Sequence, residues 1–193
     1  GDDGLGFSRG YGYQGGAGRI GWGERIKKPG FGADFKRELR IPGPWYMSLG
    51  GFGEILPYAE NTMRLHPKKR DRFGIPQVTF RFAFGENERR HRKDLVEQGV
   101  KMLEAAGASQ IQSYNEEMIG GAAIHEMGTA RMGQDPRESV VNEHNQVHAA
   151  DNVFVTDGAC MTSASCVNPS LTYMALTARA ADYAVKRLQA GDI

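Results

Sequence analysis

The sequence predicts an α+β protein in which helices cover one face of an antiparallel sheet. Over residues 78–84, apolar side chains alternate with polar ones, which is the pattern of a strand with one buried face and one wet face. Residues 87–106 carry apolar side chains at a spacing of three to four, which indicates a helix lying on that sheet. Hydrophobic residues make up 40% of the 193 positions, enough to form a core.

Charge and composition exclude several classes of protein. The 24 Lys and Arg balance 23 Asp and Glu, and the resulting charge of +1 argues against a nucleic-acid binder. No apolar run reaches the roughly 20 residues that cross a bilayer, so we expect no membrane span. The two cysteines, Cys160 and Cys166, are too few for a disulfide framework, and we expect them to be buried thiols. The cellular compartment stays undecided.

Residues 1–32 are rich in glycine, and we predict an irregular or extended lead-in that becomes ordered against another part of the molecule. Within it, residues 16–21 (GAGRIG) match the dinucleotide-binding fingerprint. That fingerprint needs an apolar strand before it and a helix after it. Neither pattern is present here, so we reject a dinucleotide site.

The next elements are two strands, at residues 62–66 and 78–84, with an exposed turn predicted at 67–71. The second strand places four apolar side chains on one face: Val78, Phe80, Phe82 and Phe84. The helix over 87–106 follows, with Asn87 as its N-terminal cap and Gly107 in a left-handed conformation at its end.

The last part of the chain predicts a strand at residues 152–156, a turn at Asp157 and Gly158, and a helix. Asn168 is expected to cap this helix and Pro169 to occupy its first position. The strand and helix have no partner strands nearby in sequence, so this end of the fold looks unfinished. The predicted buried stripe of the helix is Leu171, Met174, Ala175, Ala178, Ala181, Val185 and Leu188.

The histidines leave alternatives open. His125 lies among glycines and small residues, which leaves room for a ligand, but spacing alone favours a hydrogen-bonded loop histidine. In the same way, Asn168 is by default a helix cap. His144 and His148 are four apart across a predicted turn, and Thr129 stands where a zinc-protease helix needs its second histidine. We therefore expect no metal site.

Three motifs that follow one another along the chain favour functional roles for His125 and Asn168. They are residues 125–133 (HEMGTARMG), 152–158 (NVFVTDG) and 168–172 (NPSLT). Together they resemble the C-terminal part of the glucose–methanol–choline (GMC) oxidoreductases, FAD enzymes of more than twice this length. Within that family, the motifs of this sequence are most similar to those of the bacterial sugar and gluconate dehydrogenase-like branch. The resemblance is strong over residues 120–187.

The resemblance implies that the chain is a fragment, inactive alone, whose parent oxidises a CH–OH group of a sugar or polyol. Residues 33–150 would form the substrate domain, after the lead-in at 1–32, and residues 151–193 would complete the FAD-binding domain. The rest of that domain, N-terminal and missing here, would be its partner, and FAD would be absent from this chain. A flavin-free binding or interaction module that keeps the fold is the alternative.

The resemblance also assigns roles. His125 would be the base that takes the substrate hydroxyl proton, and Asn168 would orient the substrate oxygen from the opposite side. Asp157 and Gly158 would approach the phosphate and ribityl part of FAD, through backbone N–H more than carboxylate, at the end of a parallel strand. The start of the last helix, at Asn168, Pro169 and Thr172, would face the flavin with its positive end.

Overall fold

The computed structural model describes residues 4–8 and 10–193, and it confirms a mixed α+β architecture with antiparallel pairing. In the described part, the strands form three two-stranded antiparallel sheets, β1–β2, β3–β4 and β5–β6. One short 3₁₀ turn spans Gly158–Cys160. The other elements are β1 (Tyr11–Arg19), α1 (Trp22–Arg25), α2 (Gly32–Arg40), β2 (Trp45–Gly53), β3 (Thr62–Arg70), β4 (Pro76–Arg81), α3 (Glu86–Ala105), β5 (Gln146–Val147), β6 (Ala150–Phe154) and α4 (Ser170–Ala190).

The glycine-rich lead-in is a regular strand over Tyr11–Arg19, so the extended of the two alternatives predicted for residues 1–32 is the one observed there, and the irregular one is not. β1 pairs with β2 from Tyr11 opposite Gly53 to Arg19 opposite Trp45. The physical reason is the partner: a strand about 30 residues away satisfies backbone groups that a glycine-rich segment cannot satisfy alone. The part of the prediction that concerns residues 1–3 and 9 lies outside the described residues.

Helix α3 packs closely against β2, and two glycines make the approach possible. A Cβ atom at Gly53 would lie 2.2 Å from Cε1 of His91, and one at Gly51 would lie 2.0 Å from Cδ2 of Leu95. Strand β1 is held to the same helix because the Tyr11 hydroxyl donates to Asp94 at 2.5 Å. The α3–β1–β2 contact is therefore fixed by backbone proximity together with buried polar groups.

The start of α3 is organised around Glu88, which is buried. Its carboxylate accepts hydrogen bonds from the N–H groups of Leu56 (3.1 Å) and Gly85 (2.8 Å) and from the Tyr58 hydroxyl (2.9 Å). Burial raises the pKa of Glu88, but these bonds outweigh it and leave the pKa below its usual value.

The two ends of α3 give different outcomes for the predictions made there. Asn87 does not cap the helix, because the cap is Gly85 and the Asn87 Oδ1 atom instead accepts from the N–H of Ser8 at 2.6 Å. Asn87 therefore ties the N-terminal segment to the helix start. Gly107, at φ +80°, confirms the left-handed residue predicted after the helix.

The β3–β4 hairpin is longer than predicted. β3 continues to Arg70, so the turn predicted at 67–71 is wrong, and the chain reverses between Asp71 and Ile75. The Asp71 carboxylate sets that turn by accepting from the N–H groups of Phe73 (2.8 Å) and Ile75 (2.9 Å). Phe82 and Phe84 lie beyond the end of β4 and pack edge to face with each other, so they do not share the strand's apolar face.

The C-terminal elements also depart from the prediction. In the described part of the chain β6 pairs with β5 and is antiparallel, whereas the parallel pairing implied before Asp157 involves strands of the rest of the FAD domain and stays a prediction. Helix α4 packs inward through Tyr173, Ala180 and Tyr183. The predicted stripe faces solvent because α4 has two apolar faces and the described neighbours cover the other one; its exposed large members are Leu171, Met174, Val185 and Leu188. None of the described helices is long and apolar enough to cross a membrane.

Candidate active site

The first two motifs and the residue that follows the third, Tyr173, meet around Gly158. A Cβ atom at this position would lie 2.9 Å from the Met127 sulfur, 2.9 Å from the Tyr173 hydroxyl oxygen and 3.2 Å from the Glu126 carbonyl oxygen. The Tyr173 hydroxyl also donates to the Met127 sulfur at 3.3 Å. The segment that carries His125, the turn after β6 and the first turn of α4 are therefore in mutual contact.

Backbone hydrogen bonds fix the first motif along the loop after Gly158. The N–H of Ala130 donates to the carbonyl of Ala159 at 2.9 Å, and the N–H of Met132 donates to that of Cys160 at 2.8 Å. Because backbone atoms make these contacts, they hold the loop with little dependence on side-chain identity.

A buried asparagine aligns the end of β6 with the rest of the site. Asn145 is fully buried, with φ +64°, a conformation that asparagine tolerates better than most residues. The N–H of Val155 donates to the Asn145 carbonyl at 2.9 Å, and the Asn145 side-chain amide donates to the Val155 carbonyl at 2.8 Å. The Asn145 Oδ1 atom accepts from Arg179 of α4 at 3.5 Å. The turn and the helix are thereby held in one register.

The two residues predicted to do chemistry both have unengaged side chains. His125 is half-buried and Asn168 is exposed. Within residues 4–8 and 10–193, neither the imidazole nor the amide makes a hydrogen bond. Asn168 is not the helix cap that the sequence predicts, because α4 begins at Ser170 with Pro169 at the cap position. The contact between Met127 and Tyr173 brings their two segments together.

The predicted cofactor-binding residues have distinct environments. The Asp157 carboxylate accepts from the N–H of Ala159 at 2.9 Å and so caps the 3₁₀ turn. Gly158 is half-buried against the first motif, Pro169 is buried, and Thr172 is exposed on the first turn of α4. No side chain in the described part of the chain caps α4, so its positive end is open to a ligand.

A cleft of about 310 Å³ opens beside these residues, at the lower end of the range for small-molecule sites. The Cys160 thiol lies in its wall and is buried as predicted, and burial raises its pKa, so the thiol stays protonated. Cys166 is half-buried, more accessible than predicted. Of these features, the uncapped start of α4 is the one that suits the electron-rich edge of a flavin, because the space beside Gly158 is filled by Met127 and Tyr173. The lining residues are Met132, Cys160, Met161, Thr162, Ser163 and Leu176.

Sequence reasoning missed Tyr173 and Met127 as parts of the site. Both lie inside or beside the motifs, but each is unremarkable there: a tyrosine on a helix and a methionine between a glutamate and a glycine. Only their contact across 46 positions shows that they join the first motif to α4. It also missed the hydrogen bond from the Ser163 hydroxyl to the Glu54 carboxylate, which ties the loop to the segment after β2.

Comparison with known proteins identifies relatives of this chain. The family model for the C-terminal part of GMC oxidoreductases matches residues 57–177. A 2-methyl-1,2-propanediol dehydrogenase from Mycolicibacterium austroafricanum is 35% identical over 139 residues, covering 70% of this chain and 24% of the relative. The fructose dehydrogenase large subunit of Gluconobacter japonicus is 31% identical over 143 residues, 72% of this chain and 25% of the relative.

A pyranose 2-oxidase from Tricholoma matsutake is 30% identical over 149 residues, covering 72% of this chain and 26% of the relative. The chain thus spans about a quarter of the length of the curated relatives it matches.

Proposed function

The chain belongs to the GMC oxidoreductase family, and from that premise we propose that it is the C-terminal part of an FAD-dependent enzyme that oxidises a CH–OH group of a sugar or polyol. The observation that carries the proposal is the convergence at Gly158 of the first motif, the turn after β6 and the first turn of α4, while the side chains of His125 and Asn168 make no hydrogen bond within the described residues. The substrate class follows the names of the relatives, which refer to a diol, fructose and pyranose.

In this proposal His125 is the base. An alcohol carbon is a poor hydride donor until its hydroxyl proton is leaving, so a proton acceptor must lie within hydrogen-bond reach of that oxygen. A neutral imidazole has one ring nitrogen with a free lone pair, and that nitrogen can accept the proton. When bound, FAD supplies the acceptor for the hydride that leaves the substrate carbon.

Asn168 has the complementary task of orienting the substrate. Its amide does not titrate near neutral pH, so it can donate a hydrogen bond to the substrate oxygen without competing for the proton. Its freedom from a capping role supports this assignment, because both amide atoms remain available.

The flavin would be held by backbone more than by side chains. The N–H groups at the start of α4, near Pro169 and Thr172, would face the flavin, and the helix dipole would stabilise negative charge there. The N–H of Gly158 would serve the phosphate and ribityl region. The Asp157 carboxylate would repel a phosphate and is engaged with Ala159.

We further propose that residues 33–150 are the substrate domain, with the lead-in at 1–32 joined to it through β1, and that residues 151–193 complete the FAD domain. The apolar stripe of α4, which includes Leu171 and Leu188, would be covered by the rest of that domain. On this reading the isolated chain is inactive, because the walls that close the flavin site belong to the missing N-terminal part.

The test is anaerobic stopped-flow reduction of the flavin in the longer protein, with a diol, fructose, gluconate and a pyranose as substrates. His125→Ala should lower the rate of flavin reduction by roughly 10²–10⁴-fold, the usual contribution of a positioned base. His66→Ala, a histidine change on the β3–β4 hairpin, should leave the rate unchanged. Equal rates for His125→Ala and the unmodified enzyme would refute the assignment of the base.

A further inference from the structure

The β3–β4 hairpin, residues 62–81, concentrates positive charge. It carries six cationic side chains against one carboxylate, a formal charge of +5, whereas the rest of the chain carries 18 cationic and 22 acidic side chains. All six are exposed, and four of them surround the turn. An electropositive feature of this kind on a nearly neutral chain selects an anionic partner. The cationic residues are Arg64, Lys68, Lys69, Arg70, Arg72 and Arg81.

The single carboxylate of the hairpin does not offset this charge at its surface. Asp71 is turned into the reversal, where it accepts from the N–H groups of Phe73 and Ile75. The turn therefore presents its cations outward while its one acidic group organises the backbone.

The tip of the hairpin also exposes apolar side chains. Phe73 is 72% exposed and Ile75 is 59% exposed, and the Arg72 guanidinium lies 4.6 Å from the centre of the Phe73 ring. Apolar and cationic groups therefore occupy the same few residues. Behind the tip, one face of the hairpin is apolar and exposed, formed by the cross-strand pairs Met63–Phe80 and Leu65–Val78.

We propose that this hairpin docks on an anionic lipid surface, with Phe73 and Ile75 entering the interface and the lysines and arginines beside them contacting lipid headgroups. Exposed apolar residues ringed by cations are the elements of interfacial binding. A lipid surface is favoured over an acidic protein because Lys68 and Lys69 are flexible and strongly hydrated, and lysine is depleted in protein interfaces. The inference is independent of the proposed enzymatic function.

The test is co-sedimentation of the longer protein, in which the rest of the FAD domain covers α4, with vesicles of phosphatidylcholine alone and with vesicles containing 30% phosphatidylglycerol. Binding is expected only to the anionic vesicles and should weaken as salt rises. Each cation near the surface contributes about fivefold in affinity, so Lys68→Glu with Lys69→Glu should weaken binding about 30-fold or more. Phe73→Ser with Ile75→Ser should weaken it about tenfold or more.

Matched control variants distinguish binding through the hairpin from nonspecific binding to vesicles. Lys28→Glu with Lys36→Glu makes the same charge change at exposed positions elsewhere, and Phe31→Ser with Ile41→Ser removes an equally exposed aromatic and isoleucine. Neither control should reduce binding by more than about twofold. The proposal is overturned if the longer protein binds no vesicles, if it binds neutral vesicles equally well, or if the controls lose as much affinity as the hairpin variants.

Discussion

Replacing Gly53 with alanine should destabilise the chain, because the new methyl group would collide with a buried imidazole ring that cannot move aside. The Cβ atom would lie 2.2 Å from Cε1 and 2.6 Å from Nδ1 of His91, whose side chain is 2% exposed. Overpacking of this kind costs about 1–3 kcal/mol. The loss of chain entropy in the unfolded state returns only about 0.4–1 kcal/mol. We therefore expect a net loss of about 1–2 kcal/mol.

Gly50→Ala on the same strand is the matched control, since its Cβ would meet only ordinary contacts at 3.6 and 3.8 Å. It should be neutral or slightly stabilising. The assay is urea or thermal unfolding followed by circular dichroism, in which 1 kcal/mol corresponds to a shift of about 2–4 °C in Tm for a chain of this size.

A double-mutant cycle identifies the cause of the loss. In a His91→Ala background the ring is gone, so Gly53→Ala should cost nothing or stabilise, and the coupling energy should be about 1–3 kcal/mol. If Gly53→Ala costs as much without the ring as with it, or no more than Gly50→Ala, the close approach of α3 to β2 is not what requires the glycine.

Three more predictions follow from the structure. Burial lowers the pKa of His91 below its usual 6.5, so the unfolded chain binds more protons than the folded one below that pH. The free energy of unfolding should therefore fall by up to about 1.4 kcal/mol per pH unit as the pH drops below 6.5. In urea unfolding at several pH values, His91→Phe should remove this dependence. Gly158→Ala should lower the free energy of unfolding by about 1–2 kcal/mol, and adding Tyr173→Phe should restore part of that loss. An unchanged unfolding midpoint for Gly158→Ala alone would contradict the close packing at this site. The isolated chain should bind no FAD tightly, and a purified sample with stoichiometric flavin absorbance would disprove this.

Patterns that repeat along the chain were sufficient for part of the fold. The strand around Val78 and the helix α3 follow from side-chain periodicity, and the end of α3 follows from Gly107. Their boundaries depended on contacts outside the pattern. β3 runs to Arg70 because the turn is set by the Asp71 carboxylate, not by the charged residues before it.

Other parts of the structure depend on contacts between residues far apart in the chain, which local sequence patterns do not record. Glycine in β1 and β2 is compatible with a loop, but it also permits close packing, and only the position of α3 against Gly51 and Gly53 distinguishes the two. Which apolar face of α4 is buried depends likewise on its neighbours. The site around Gly158 needed the contact of Met127 with Tyr173, which no local pattern records.

Asn168 is where a local rule failed, and the failure has a functional consequence. Asparagine followed by proline is a favoured start for a helix, yet here Pro169 itself takes the cap position at ψ 6°, and no side chain in the described part of the chain caps α4. Asn168→Ala should therefore change the free energy of unfolding by less than about 0.5 kcal/mol, the range of an uninvolved surface residue.

Asp157→Ala is the matched control for Asn168→Ala, because Asp157 does cap the 3₁₀ turn through Ala159; it should cost about 1 kcal/mol. Equal losses for the two variants would mean that Asn168 supports the helix. A loss confined to Asp157→Ala, together with slower flavin reduction by Asn168→Ala in the longer protein, would separate substrate orientation from stability. Violations of local rules tend to fall at functional sites, and the uncapped start of α4 is such a violation beside a residue proposed to bind substrate.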